Sequence, residues 1–215
     1  MRTLAELEDD LSEDMAWRRT ELQSLLAQIR AAKGPSLSCL CRAGVALLYA
    51  HWEGFTKHAL SQYLRYVARR RLKLDELESC FVAMALIAKV SKLQGMSPSS
   101  QAIELVKSIR DQPQERVYIP SGAGVDTQSN LNSDLFFELF EGLGLDAAPF
   151  ETKRALIDYS LLRPRNSIAH GEYLEITKQG YEELHDEVIE MLGSVLRIVV
   201  RAAENKLYRK SPAAV

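Results

Sequence analysis

Arg165, Asn166 and His170 stand within Leu161-Leu-Arg-Pro-Arg-Asn-Ser-Ile-Ala-His-Gly171, a run that gathers a permanent cation, an amide and an imidazole at the end of an expected helix. An imidazole near its unperturbed pKa trades protons at neutral pH, and a guanidinium can hold two oxygens of a phosphate at once. Together these types suit acid–base chemistry at an anion. Arg165 and His170 are separated by about 140° around an ideal helix, so a regular helix would not place them on one face. Pro164 lacks the amide proton that would bond back to Ser160, and Gly171 can take the left-handed turn that ends a helix. Both ends of the run can therefore deviate. The plainer reading of the spacing is a pair of cations that complements a helix C-terminus. Arg163 offers a second spacing to His170 and is the alternative arginine.

Other chemistry-bearing residues are weaker candidates. Glu53 lies in the apolar centre of a long helix, where an unpaired carboxylate is costly, so it is expected to face a cation, Arg165 or Arg163 first, or the active cleft, and either to support the site or to cap a structural network. His51 and Glu53 spell the His-x-Glu of zinc deaminases, but no Pro-Cys-x-x-Cys follows, which excludes that site. Ser121 to Gly124 has the glycines of a phosphate loop without the Gly-Lys-Ser/Thr or the preceding strand. Cys39, Cys41 and Cys80 offer neither paired zinc ligands nor a disulfide framework, and read as reduced core thiols. His185 beside Asp186 reads as a surface residue, and Arg69-Arg70-Arg71 as a solvated helix end that could also guide an RNA backbone.

Apolar residues recur at three-and-four spacing almost throughout, and strand signals are scarce, so the fold expected is all-α. Leu4 to Ile29 forms a long amphipathic helix that stops at Gly34-Pro35. A second long helix runs from Ser36 to about Arg71, apolar on most faces between Val45 and Phe55, and is expected to sit centrally. A shorter helix covers roughly Leu74 to Leu93. From about 94 to 132, prolines and glycines leave only Gln101 to Arg110 helical, which reads as a loop-rich insertion or lid outside the core of a single domain spanning 1–215. Ser133 is a credible N-cap for a short helix, another helix leads from Thr152 toward His170, and the last opens after Thr177 and reaches about Tyr208.

The chain has 215 residues, 47% of them hydrophobic, and 27 Lys+Arg against 29 Asp+Glu give a formal charge of −2. That balance lacks the global basicity of a nucleic-acid-coating protein, so any RNA contact must be local. The acidic start, Glu6 to Asp14, is the wrong charge for a leader peptide, and Val188 to Val200 is too interrupted to span a membrane. A cytoplasmic chain without membrane contact is the expectation.

The run Arg-Asn-x-x-x-His resembles the Arg-x(4–6)-His signature of the HEPN superfamily. Tyr49-Ala-His-Trp-Glu-Gly-Phe55, Gln128-Ser-Asn-Leu131, and Ile176-Thr followed by Tyr181-Glu-Glu-Leu are similar, in that order, to the stand-alone prokaryotic branch of MAE-type HEPN nucleases. This resemblance implies a bundle of long antiparallel helices that forms a homodimer, with two copies of the run facing each other across one cleft. It also implies cleavage of RNA without metal or other cofactor, His170 exchanging protons, Arg165 stabilising the phosphorane and Asn166 orienting it. A toxin or antiphage role, with an antitoxin or inhibitor protein as partner, belongs to the same implication. The alternative is a catalytically inactive HEPN module that binds RNA or nucleotide, or assembles a defence complex. In HEPN proteins paired with a nucleotidyltransferase antitoxin, a tyrosine two residues after the histidine can be modified; Tyr173 stands three after, and packing in a loop is the simpler reading.

Overall fold

A computed structural model describes residues 2–210 apart from 94, 112 and 123. Gln94, where the insertion was expected to begin, and the tail after 210 lie outside these. Among the described residues no β-strand forms; the elements are helical throughout, as the periodicity required.

The long helices are α1 (Leu4–Ala31), α2 (Gly34–Ala68) and α7 (Lys178–Glu204). Helix α1 is capped by Thr3, whose side chain accepts from the Glu6 amide, and buries Leu7, Leu11, Met15, Arg18, Leu22, Leu26 and Ile29. Those positions are separated by steps of three or four, one stripe of a helix. The chain turns at Lys33, and α2 begins at Gly34 with Pro35 in its first turn, where the missing amide proton costs nothing. Thr177 caps α7, its side chain accepting from Gly180. Each of the three helices packs along the other two. Helix α2 is central, with Trp52, Phe55, Ala59 and Tyr63 sealed from water. Each large side chain so buried contributes about 1.5–3 kcal/mol. At Gly44 a Cβ would come within 2.4 Å of the Tyr181 ring, so a side chain there would force α2 and α7 apart.

The middle of the chain is less regular. The helix expected from Leu74 is interrupted: a single 3₁₀ turn (Leu74–Glu76) precedes α3 (Ser79–Lys92). Between them the chain extends to pair with the C-terminal segment, where the Glu78 amide donates to Tyr208 and that of Lys210 to Glu76. Helix α4 (Pro98–Asp111) covers the helix expected at Gln101 to Arg110.

The stretch after α4 departs from the expectation of a lid outside the core. The Val117 amide donates to Leu72, and Val125 and Leu131 are buried within the main hydrophobic cluster. Helix α5 (Ser133–Gly142) is capped by Asn132, whose Oδ1 accepts from Leu135 at 2.8 Å, and not by Ser133. Ser133 instead donates its amide and hydroxyl to the Asp158 carboxylate at 2.7 and 2.6 Å. Phe136 and Phe140 of α5 and Phe150 of the following 3₁₀ turn (Ala148–Lys153) stack with one another, and Phe136 and Phe150 stack on Trp52 of α2.

Two smaller expectations also change. His185 is buried, with Nδ1 on the Asp186 carboxylate at 3.0 Å and Nε2 without a partner, because its position on α7 turns toward Tyr181. Of the thiols expected in the core, Cys41 is buried, Cys80 half-buried and Cys39 exposed.

Candidate active site

The run that carries Arg165 begins with a widened helical segment. Residues Leu156–Leu162 form a π-helix, in which the Arg163 amide bonds to Asp158. Pro164 follows at the point where an amide proton would otherwise be needed, and the chain tightens into α6 (Arg163–Ala169). Single π-turns frequently mark functional sites because they re-aim the side chains that follow. Asp158 fastens this segment to the start of α5 through Ser133, a positioning role that no sequence signal singled out.

His170 is the C-cap of α6, and Gly171 adopts φ +78. The Gly171 amide donates to Ile168 at 3.1 Å and that of Glu172 to Ser167 at 2.9 Å. This is the paired closure that a left-handed glycine permits at a helix end, and it fixes the backbone of His170. The imidazole is exposed, and among the described residues no hydrogen bond engages it.

Arg165 points the other way, toward α2. Its guanidinium lies 4.8 Å from the centre of the Tyr49 ring, and Nη1 donates to Asn166 Oδ1 at 2.8 Å. Asn166 in turn donates from Nδ2 to Asn130 Oδ1 at 3.3 Å. The half-buried Arg165 has no carboxylate partner among the described residues, and the rest of its N–H donors have no protein acceptor. Arg163 is exposed and shares a face of α6 with Asn166 and His170, since these follow at steps of three and four.

Glu53 corrects the expectation of an arginine partner. Its Oε1 accepts from the Thr127 hydroxyl at 2.7 Å, and its carboxylate faces the Tyr49 phenol. Burial, reinforced by the Glu53 charge, pushes the Tyr49 phenol well above its usual pKa, so it stays protonated. The Tyr49 oxygen also accepts from the Leu131 amide at 2.7 Å. Arg165 is thus connected to Glu53 through the ring it covers.

The segment 126–130 builds one wall. The Asp126 carboxylate accepts from the Gln128 amide at 2.8 Å, and Gln128 and Ser129 both sit at φ 54. Consecutive left-handed conformations in residues other than glycine are strained, and such strain concentrates at functional sites. The turn brings Asn130 to Asn166 and Thr127 to Glu53. Tyr49, Thr127 and Asn130 are candidate site residues that spacing arguments missed. The segments 49–55 and 128–131 did stand out by resemblance, and they supply Tyr49 and Asn130.

Tyr173 is not packed in its loop: it is 76% exposed, with the Arg42 guanidinium of α2 5.8 Å from its ring centre. Among the described residues, no group of three or more His, Cys, Asp or Glu side chains is gathered as metal ligands. No helix among them is long and apolar enough to cross a membrane.

The all-α bundle is consistent with the HEPN class that the sequence resembles. The RiboL-PSP-HEPN family model matches residues 13–200, and the chain belongs to that family. No curated protein and no solved structure matches the chain.

Proposed function

We propose that the chain acts as one HEPN domain of the stand-alone MAE type and is a metal-independent endoribonuclease that works as a twofold homodimer. Arg165 is the observation that carries this reading. A cation held partly out of water without an acid is costly, and the two oxygens of a phosphodiester supply the missing acceptors in the fork geometry that guanidinium matches. Its ring support on Tyr49 and its bond to Asn166 prepare it for that contact.

The chemistry follows from the types present. The substrate's own 2′-oxygen attacks the adjacent phosphorus, a new P–O bond forms and the bond to the 5′-oxygen breaks. His170 removes the 2′-hydroxyl proton or gives one to the leaving 5′-oxygen, and the two copies in a dimer divide these tasks. Arg165 stabilises the charge that gathers on phosphorus, Asn166 orients the phosphate, and Arg163 lies on the same face as a second cation. Glu53 supports the site by holding Tyr49 and Thr127. A toxin or antiphage effector restrained by an inhibitor protein is the biological setting this activity fits. One observation favours the second reading, an inactive module that binds RNA or nucleotide: among the described residues, no hydrogen-bonded group orients the His170 ring.

The test is cleavage of RNA in excess EDTA. The products expected are 2′,3′-cyclic phosphate and 5′-hydroxyl ends, DNA survives, and light scattering reports twice the 24.2 kDa chain mass. His170→Ala should lose roughly 10²–10⁴-fold in rate, the usual contribution of positioned acid–base catalysis. Cleavage abolished by EDTA, or undiminished in His170→Ala, rules out the mechanism; no cleavage under any condition favours the binding module.

A further inference from the structure

Tyr173 presents an open aromatic ring three residues after His170. Gly171 turns the chain directly after His170, and three residues of backbone span at most about 10 Å, which keeps the backbone of Tyr173 beside the end of α6. The ring is also held from behind. The Arg42 guanidinium lies 5.8 Å from the ring centre and donates from Nη2 to the Glu172 carbonyl at 2.9 Å, tying the loop to the central helix. Arg42 has no carboxylate partner among the described residues, and its Nε is buried without an acceptor. Leaving a large ring in water while placing an unpaired cation behind it gives nothing to a folded core. It does make a rigid platform with a positive backing. Nucleobases stack on such rings whatever their identity, and the cation attracts the flanking phosphate.

We propose that Tyr173, with Arg42 beside it, stacks an unpaired nucleobase of the nucleotide next to the phosphate handled by His170. The inference rests on the ribonuclease reading. A base within a duplex has both faces covered by its neighbours, so only an unpaired or splayed base can meet the ring.

The experiment measures binding of a labelled single-stranded oligoribonucleotide to the full-length His170→Ala chain, which holds RNA uncut, by fluorescence anisotropy. Adding Tyr173→Ala should weaken binding by roughly 5- to 150-fold, the range of one lost base–aromatic stack, while Tyr173→Phe and Tyr173→Trp retain it. The same sequence as a duplex should compete poorly. In the chain with His170 intact, Tyr173→Ala should raise KM and leave kcat unchanged, because the stack persists from bound substrate to transition state. Unchanged affinity in Tyr173→Ala overturns the platform while leaving the nuclease reading intact. A Tyr173→Phe variant as weak as Tyr173→Ala overturns it in favour of a role for the hydroxyl, and loss of the dimer in Tyr173→Ala overturns it in favour of a subunit contact. Failure of the parent to bind or cut any RNA removes both readings.

Discussion

Two arginines in this molecule, each associated with a histidine in space or in sequence, lie against aromatic rings and differ in whether an acid accompanies them. At the seam of α1 and α2, Arg18 lies 4.6 Å from the Trp17 ring centre and bonds Asp14 at 2.7 Å, with both side chains largely buried. Its Nη1 also donates to His51 Nδ1 at 3.3 Å, which leaves the proton on Nε2 to meet the Glu21 carboxylate at 2.7 Å. The arginine there has its acid, and both ring nitrogens of the histidine have partners. Around α6, Arg165 lies 4.8 Å from the Tyr49 ring centre and has an amide for a partner instead of an acid, while His170 is solvent-facing and unengaged. The first pair is closed and belongs to the fold. The second is unfinished, and a phosphate would complete it. What separates a structural from a candidate catalytic Arg–His pair is therefore the acid that accompanies it, not the residue types or their burial alone.

Removing each arginine tests that contrast most directly. Arg18→Ala should cost about 1–3 kcal/mol of stability, because it removes the arginine partner of the half-buried Asp14 carboxylate. Arg165→Ala should leave the urea midpoint near the parent's and lower the cleavage rate by about 10²–10³-fold, the usual loss when a charge-stabilising donor is removed. Urea unfolding and RNA cleavage on both variants would break the comparison if the two losses were exchanged.

A smaller effect comes from pH. Burial, the largest influence, and the Arg18 charge hold His51 below its ordinary value of 6.5, outweighing Glu21. Below that pH the unfolded chain takes up a proton that the folded chain resists, so stability falls as pH drops below 6.5. Burial pushes the Asp14 carboxyl up, but its bonds from Arg18 and Trp17 outweigh this and leave it below 3.8, which adds a second loss at lower pH. Urea midpoints measured across pH 5–7 should fall toward acid in the parent and stay flatter in His51→Gln. An equal slope in both would remove His51 as the cause.

The smallest effect concerns the turn that builds the site wall. Gln128→Gly should relieve the left-handed strain at φ 54 and raise stability by up to about 1 kcal/mol, read as an increase in the urea midpoint. A decrease would mean that the Gln128 side chain, and not its backbone, holds the turn.

The helical layout could be read from the chain because its determinants are local. The stripe from Leu7 to Ile29, the break at Gly34-Pro35, the Thr177 cap and the left-handed Gly171 each act within a few residues, through side-chain periodicity and backbone freedom. Arg165, Asn166 and His170 were legible as a short run for the same reason. Only the tertiary structure decided that Glu53 meets Thr127, that Asn130 reaches Asn166, that Ser133 serves Asp158, and that Arg18 and His51 close on each other inside the bundle. Those partners are far apart in sequence, and a hydrogen bond carries no periodic signal along the chain. Which of several acceptors a buried donor takes is set by the packing of α1, α2 and α7 and by the strained turn at 126–130. The residues of the site were therefore present in the sequence, whereas their state, paired or unpaired, was fixed only when the chain folded.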